Sequence, residues 1–205
     1  MNSVSLMNNI QVVVLAAGLS KRFYPFNDNT HKTVIEILGK PIIVHTIEAI
    51  KRTGITDIIV VVRPNDQIKN ILGDGKEFGV VINYVIQKEP EGMGDALLLC
   101  KAYLKGDFFL MHASHLDFDI FAKDLFMAKQ KGIAAVLLAK KKKIGENQGI
   151  FKLSGKRVIG IVEKPKKGLE PSSMYVVGIY FLNKDFLQTL EKMPREHYSF
   201  EKAIS

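Results

Sequence analysis

The chain reads as an open α/β fold, and three features of its 205 residues predict this. Short apolar, β-branched runs recur along the chain, stretches of helical periodicity separate them, and each run ends in small or polar residues. Strands alternating with helices imply a mostly parallel sheet covered on both faces, because parallel neighbours need crossover connections. The first run is residues 10–15 (IQVVVL), which enters Ala16, Ala17 and Gly18. From Pro41 the spacing of Ile42, Ile43, Ile47 and Ile50 predicts a helix that stops at Gly54. Residues 57–62 form a second buried strand, followed by a short helix ending before Gly73, and residues 81–86 form a third strand. A helix over 95–104, a strand over 107–112, a helix over 120–131 and a strand over 133–139 continue the alternation. Residues 149–153 and 157–162 flank Ser154 and Gly155 and read as an inserted antiparallel hairpin. A strand over 175–182 and a helix from about 184 to 192 resume the main pattern. No internal repeat or linker divides the sequence, so residues 1–205 are expected to form one domain.

The composition, 47% hydrophobic and 24% charged, is that of a soluble globular protein. At this length a fold buries roughly 70% of the surface its unfolded chain exposes, enough for one core without staples. The single cysteine, Cys100, excludes an internal disulfide framework and favours a reducing compartment. It lies among Leu97, Leu98 and Leu99, which reads as packing. Residues 1–9 lack a basic segment followed by an apolar one, and no apolar run approaches the roughly 20 residues of a membrane span. A cytoplasmic protein with no membrane partner is expected. Lys and Arg number 29 against 21 acidic residues, a formal charge of +8 that favours an anionic partner. The lysine-rich stretches 140–143 and 164–167 carry no interleaved aromatic residues for base stacking, so nucleic acid is not expected.

The turn after the first strand, Leu15-Ala16-Ala17-Gly18, is followed by Lys21, Arg22 and, further on, Lys32. A dinucleotide fingerprint would need glycine at positions 20 and 23, and a P-loop would need glycine and lysine where Phe23 and Tyr24 stand. Both are rejected. What remains is a small-residue turn at the carboxyl end of a strand, the usual ligand position in open α/β sheets. It is either a phosphate seat or a tight turn beside solvated cations.

Read further, the sequence resembles the sugar nucleotidyltransferases, or nucleotide-sugar pyrophosphorylases, in an ordered series of partial motifs. LAAG at 15–18, Arg22, Lys32 and Gly39-Lys40-Pro41 are similar to an opening pattern LAAG-x-G-T-R, a Pro-Lys pair and GKP. Residues 73–86 and the loop Gln87 to Ala96, with Gly92, Met93 and Gly94 inside it, resemble the segment and Q-x4-G-x-G-x-A loop of the base site. Glu163-Lys164-Pro165 resembles the EKP motif of the sugar-phosphate site, and Val177-Gly178-Ile179-Tyr180 resembles the strand that follows. The match is to glucose-1-phosphate uridylyl- and thymidylyltransferases in particular. It implies a Rossmann-like sheet of the nucleotide-diphospho-sugar transferase type.

The resemblance also implies a chemistry. A phosphate oxygen of a sugar 1-phosphate attacks the α-phosphorus of a nucleoside triphosphate, UTP or dTTP, and releases pyrophosphate. Because two polyanions must meet, such a reaction rests on positioning, on cations, and on Mg²⁺ bridging the phosphates. Arg22 and Lys32 would hold the triphosphate and Lys164 the sugar phosphate. Leu15, Ala16, Ala17, Gly18, Gln87, Gly92 and Met93 would line the nucleotide site; Gly149, Glu163, Lys164 and Tyr180 would line the sugar-phosphate site. Gln87 carries a donor and an acceptor suited to uracil or thymine, or else is a solvated residue at a strand end. Gly149 is a sugar contact or a hairpin glycine.

The departures from the pattern are as informative as the matches. After the strand 107–112 the family has Gly-Asp, whose aspartate holds magnesium, where this chain has Ser114-His115. Neutral imidazole suits softer metals than magnesium. Asp117 is the candidate replacement, since side chains two apart in extended chain share a face at about 6.5 Å. His112 and His115 find no Cys or His partners at zinc-site spacing. Ser20, Lys21 and His31 replace glycine, threonine and proline; Gln148 replaces an aromatic residue; and Glu201-Lys202 stands where Thr-Asp is common. The domain is expected to be short at its C-terminus, ending before the family's second metal carboxylate. The competing reading is therefore a catalytically impaired sensor or subunit that binds nucleotide or nucleotide-sugar.

Overall fold

The run QVVVL becomes strand β1 (Gln11–Leu15), whose side chains alternate between two buried faces. In the computed structural model, residues 7, 9–18, 31–89, 91–141, 149–194, 196 and 199–204 are described. Val12 and Val14 enter one apolar cluster and Val13 the other, as a strand covered on both sides requires. Next come a two-residue hairpin, β2 (Glu36–Ile37) and β3 (Lys40–Pro41), helix α1 (Ile42–Arg52), β4 (Asp57–Val62), α2 (Ile68–Leu72) and β5 (Val81–Ile86). They are followed by α3 (Met93–Leu99), β6 (Phe108–His112), α4 (Phe118–Met127) and β7 (Ala135–Lys141). The hairpin β8 (Gly149–Ser154) and β9 (Arg157–Glu163), then β10 (Met174–Leu182), α5 (Phe186–Glu191) and α6 (Ser199–Ile204), complete the order.

The main sheet runs β5-β4-β1-β6-β10-β8-β9, with β7 also paired to β10. β5, β4, β1 and β6 are parallel neighbours. The core of α1, α2 and α4 covers one face, through residues such as Ile43, Ile47, Ile68, Phe118 and Ala122. The other face is covered by α3, α5 and α6, through Leu97, Phe186, Leu190 and Phe200. The expected open sheet with helices on both faces and an inserted hairpin is thus borne out.

Three details differ from the sequence reading. The strand expected over 175–182 does not resume the parallel pattern: β10 runs antiparallel to β6, β7 and β8. Strand direction is fixed by partners distant in sequence, on which an apolar run carries no information. The helix expected over 95–104 ends at Leu99. Cys100 caps it, its Sγ donating to the Ala96 carbonyl at 3.3 Å, and a separate 3-10 turn spans Lys101–Tyr103. Helix α6 has no counterpart in the sequence reading; Phe200 anchors it against Tyr180 and Phe186.

β6 and β8 occupy the same flank of β10 in succession. Ile179 pairs with Met111 of β6, whereas Tyr175 pairs with Ile150 of β8. Between them the register against β7 slips from Val176↔Ala139 to Tyr180↔Leu137. This is a bulge, and Gly178 sits in it at φ +91°, a conformation that L side chains rarely adopt. The bulge marks the gap where one neighbour stops and the next begins. Among the described residues no helix is long and apolar enough to cross a membrane.

Candidate active site

β1 sends its first connection to β4 on one side, and β6 returns on the other. The crevice beyond the carboxyl ends of β1 and β6 is therefore a topological switch point, where open α/β sheets bind ligands. Ala16 donates its N–H to Val61 at 2.8 Å, and Ala113 donates to Leu15 at 3.1 Å, so pairing continues one residue past each strand. Leu15 is half-buried; Ala16 and Ala17 are buried, one in each core cluster. Gly18 is exposed, its φ is not positive, and no described residue lies within 4 Å of where its Cβ would stand. Arg22 lies outside the described residues.

Two imidazoles stand at the switch point. The rings of His112 and His115 are 6.3 Å apart, and both abut Gly178. A Cβ at Gly178 would approach His112 Cδ2 to 2.5 Å, so the bulge in β10 seats the histidines. Burial holds the His115 pKa below the ordinary histidine value, against the pull of Asp117. The charge of Lys32 also acts on His115, which puts that lysine beside the crevice.

Asp117 does not share an extended face with His115 as expected. Leu116 and Asp117 turn into α4, where Asp117 is the N-cap residue, and its Oδ1 lies 3.6 Å from His115 Nδ1. Among the described residues no three His, Cys, Asp or Glu side chains converge as a metal site. A buried imidazole nitrogen and one half-exposed carboxylate make a poor donor set for an ion that demands hard oxygen ligands. The residues present do not fit Mg²⁺ at this position.

Beyond the carboxyl end of β5, Gln87 is only 5% exposed. Its Nε2 donates to the Gly92 carbonyl at 3.1 Å and to Asp95 Oδ2 at 2.8 Å. Both partners are acceptors only, which fixes the orientation of the amide. Gly92 stands at φ +103°, and half-buried Met93 opens α3 behind it. Gly94, inside α3, admits Ser199 and Phe200 of α6 against the helix.

On the other side of the bulge, Gly149 and Glu163 are cross-strand partners, and the Glu163 carboxylate fills the space a Cβ on Gly149 would take. The Glu163 charge acts on Glu201 and on Tyr180. Tyr180 is buried, with its ring 5.1 Å from that of Phe200, and burial raises its hydroxyl pKa well above the usual tyrosine range. Glu201 reaches this group from α6, which packs on β9. Burial pushes its carboxyl up to about 7, with the nearby Glu163 charge adding to the rise. Lys164, exposed directly after Glu163, adopts φ +46° before Pro165. This is a strained backbone for a residue other than glycine.

The structure thus brings Lys32 to His115, Gln87 to Gly92, and Glu163 to Gly149 and Tyr180. Glu201 and His112 are the residues whose place beside these groups was not expected. For Glu201 the signal was present, as a carboxylate in the otherwise amphipathic stretch SFEKAI.

A mixed, mostly parallel open sheet with helices on both faces and polar groups beside its switch point defines a protein of the Rossmann-like α/β class. The nucleotidyl transferase profile matches residues 11–205, and the chain belongs to that family. A glucose-1-phosphate thymidylyltransferase of Neisseria meningitidis is 29% identical over 174 residues, covering 82% of this chain and 60% of the relative. One from Xanthomonas campestris pv. campestris is 30% identical over 198 residues, covering 89% of this chain and 64% of the relative. The chain therefore spans about 60% of the length of these relatives. A UDP-glucose pyrophosphorylase structure complexed with UDP-glucose superposes with a TM-score of 0.73 at 20% identity, covering 95% of this chain and 86% of the other. That likeness is one of fold.

Proposed function

We propose that this protein joins a sugar 1-phosphate to a pyrimidine nucleoside triphosphate, UTP or dTTP, and releases pyrophosphate. The observation that carries the reading is the Gln87 amide. Both of its hydrogens are donated within the protein, to Gly92 and Asp95. The oxygen that remains is an acceptor, suited to the imide N–H of uracil or thymine and unsuited to the ring acceptor of cytosine or adenine. Gly18 adds support, because it is exposed at the carboxyl end of β1 and, lacking a Cβ, lets backbone approach a phosphate closely.

In the reaction an oxygen of the sugar phosphate forms a bond to the α-phosphorus as the bond to the pyrophosphate oxygen breaks. The chain's part is to bring two anions together and hold them in line. Lys32 and Arg22 carry the triphosphate charge and Lys164 the sugar phosphate. Lysine supplies a flexible point charge and arginine a planar fork for two phosphate oxygens. Glu163, poised over Gly149, accepts sugar hydroxyls. Tyr180 supports it from the core side. A cytoplasmic location, with its pools of nucleotides and sugar phosphates, accords with this role.

One observation favours a second reading, that the protein binds these ligands without turning them over. It is the His115–Asp117 arrangement, which does not suit magnesium. A single experiment separates the two: pyrophosphate release measured over a panel of triphosphates, sugar 1-phosphates and divalent metals, beside calorimetric binding. Turnover with UTP or dTTP is expected. Binding alone would select the sensor, and neither would remove both readings.

A further inference from the structure

We propose that Asp95 is a positioning residue that sets base selectivity: its carboxylate holds the Gln87 amide in one of its two orientations, and so excludes bases whose ring nitrogen accepts a hydrogen bond. The inference rests on the proposed nucleotidyl transfer, in which Gln87 meets the base.

An amide can lie in its site in two orientations related by a half-turn, which exchange its donor and its acceptor. Around Gln87 the two are unequal. As it stands, Nε2 donates to the Gly92 carbonyl at 3.1 Å and to Asp95 Oδ2 at 2.8 Å. Turned over, Oε1 would face both of those oxygens with no hydrogen between them, in a side chain too buried for water to relieve the contact. A base such as cytosine, whose ring nitrogen accepts, would demand that turned-over amide; uracil and thymine, whose ring nitrogen donates, would not.

The two partners divide this work unevenly. The Gly92 carbonyl is backbone, which any residue supplies, whereas the Asp95 carboxylate is a side chain and the shorter contact. A charged acceptor is also held about twice as strongly as a neutral one. Asparagine at this position could turn its own N–H towards Oε1 and satisfy the wrong orientation on that side; a carboxylate cannot. Asp95 also lies in the first turn of α3, where negative charge suits the helix dipole. That role asks for no particular partner, whereas the bond to Gln87, eight residues earlier, fixes where the carboxylate points.

The test is calorimetric titration of the full chain with UTP against CTP and dTTP against dCTP, comparing the unaltered protein with Asp95→Asn and Asp95→Ala. Thermal unfolding is recorded for each. The readout is the ratio of affinities within a pair, because a merely structural loss would weaken both nucleotides together. The unaltered protein is expected to favour the uracil or thymine nucleotide by about tenfold or more. Both variants are expected to narrow that preference about tenfold, chiefly by gaining affinity for the cytosine nucleotide, with UTP and dTTP held within about threefold of the original. A preference that survives in both variants would overturn the proposal while leaving the nucleotide reading intact, as would equal binding within each pair by the unaltered protein. If the unaltered protein binds no triphosphate, the nucleotide reading fails and this inference fails with it. Should neither variant fold, UTP methylated at its ring N3, which lacks the imide N–H, is titrated into the unaltered protein. A loss of about tenfold relative to UTP is expected; binding within about threefold of UTP would overturn the proposal.

Discussion

Acidification from pH 7 to 4.5 should load two buried groups of this protein in opposite directions, and removing either should tilt the stability profile. His31 has a folded-state pKa of about 4 against an ordinary 6.5. Its contribution is fully present above 6.5 and is lost as pH falls towards 4, because the unfolded chain binds the proton first. Glu201 is the mirror case, with a folded-state pKa of about 7 against an ordinary 4.5. Its contribution is fully present below 4.5 and is lost as pH rises through 7. Each tenfold change in proton affinity is worth about 1.4 kcal/mol, so either group spans about 3 kcal/mol in full and about 2 kcal/mol between pH 7 and 4.5. The groups facing His31 are Asp66, Arg63 and Lys32, and those facing Glu201 are Glu163 and Tyr180. Urea unfolding at pH 7, 5.5 and 4.5 reads the effect in the unaltered protein, His31→Asn and Glu201→Gln. Relative to the unaltered protein, His31→Asn should gain about 2 kcal/mol on acidification and Glu201→Gln should lose a similar amount. Three parallel profiles would refute the reasoning, since they would mean that neither group titrates differently in the folded chain.

Three further outcomes follow from the packing. Gly178→Ala should cost about 2–4 kcal/mol in urea unfolding, from a left-handed backbone and a Cβ forced onto the His112 ring; a loss under about 1 kcal/mol would show that the bulge relaxes. Gly149→Ala should displace the Glu163 carboxylate and raise the KM for the sugar 1-phosphate about tenfold, with calorimetric UTP affinity unchanged. Cys100 is fully buried, with a thiol pKa pushed up to about 12, so a disulfide reagent at pH 8 should modify it only as fast as the protein unfolds; a burst in the native protein would contradict that burial.

What the sequence made legible was local. The runs DIIVVV and VINYVI are strands β4 and β5 at the residues read, because an apolar β-branched run between turn signals carries its own period. Helix α1 was equally plain, its buried Ile43, Ile47 and Ile50 lying on one face. The direction of β10 was not, because it depends on pairing with β6 and β7, which no property of Met174–Leu182 encodes. The site divides in the same way. Gln87, Gly92 and Glu163 stand in motifs whose spacing survives in the chain, which is why the sequence singles them out as candidates. His31 was visible only as a departure from proline; its lowered pKa comes from burial, opposed by Asp66, and both depend on the fold. Glu201 likewise acquires its perturbed carboxyl from burial where α6 packs on β9, and from the charge of Glu163.

The distribution of charge along the crevice ties these residues to one chemistry. At the β1–β6 end lie Lys32 and two imidazoles, and burial, with the charge of Lys32 in the same sense, lowers the pKa of His115. Beyond the Gly178 bulge lie two carboxyl groups, Glu163 and Glu201, close enough for one to raise the pKa of the other. A polyphosphate is attracted to the first end and repelled from the second, whereas sugar hydroxyls, which donate hydrogen bonds, suit the second. A symmetric basic cleft would bind either substrate in either half. Under the proposed function this polarity orders the two substrates, and the two ends are set apart by a glycine bulge that lets β10 pair with β6 on one side of the gap and β8 on the other.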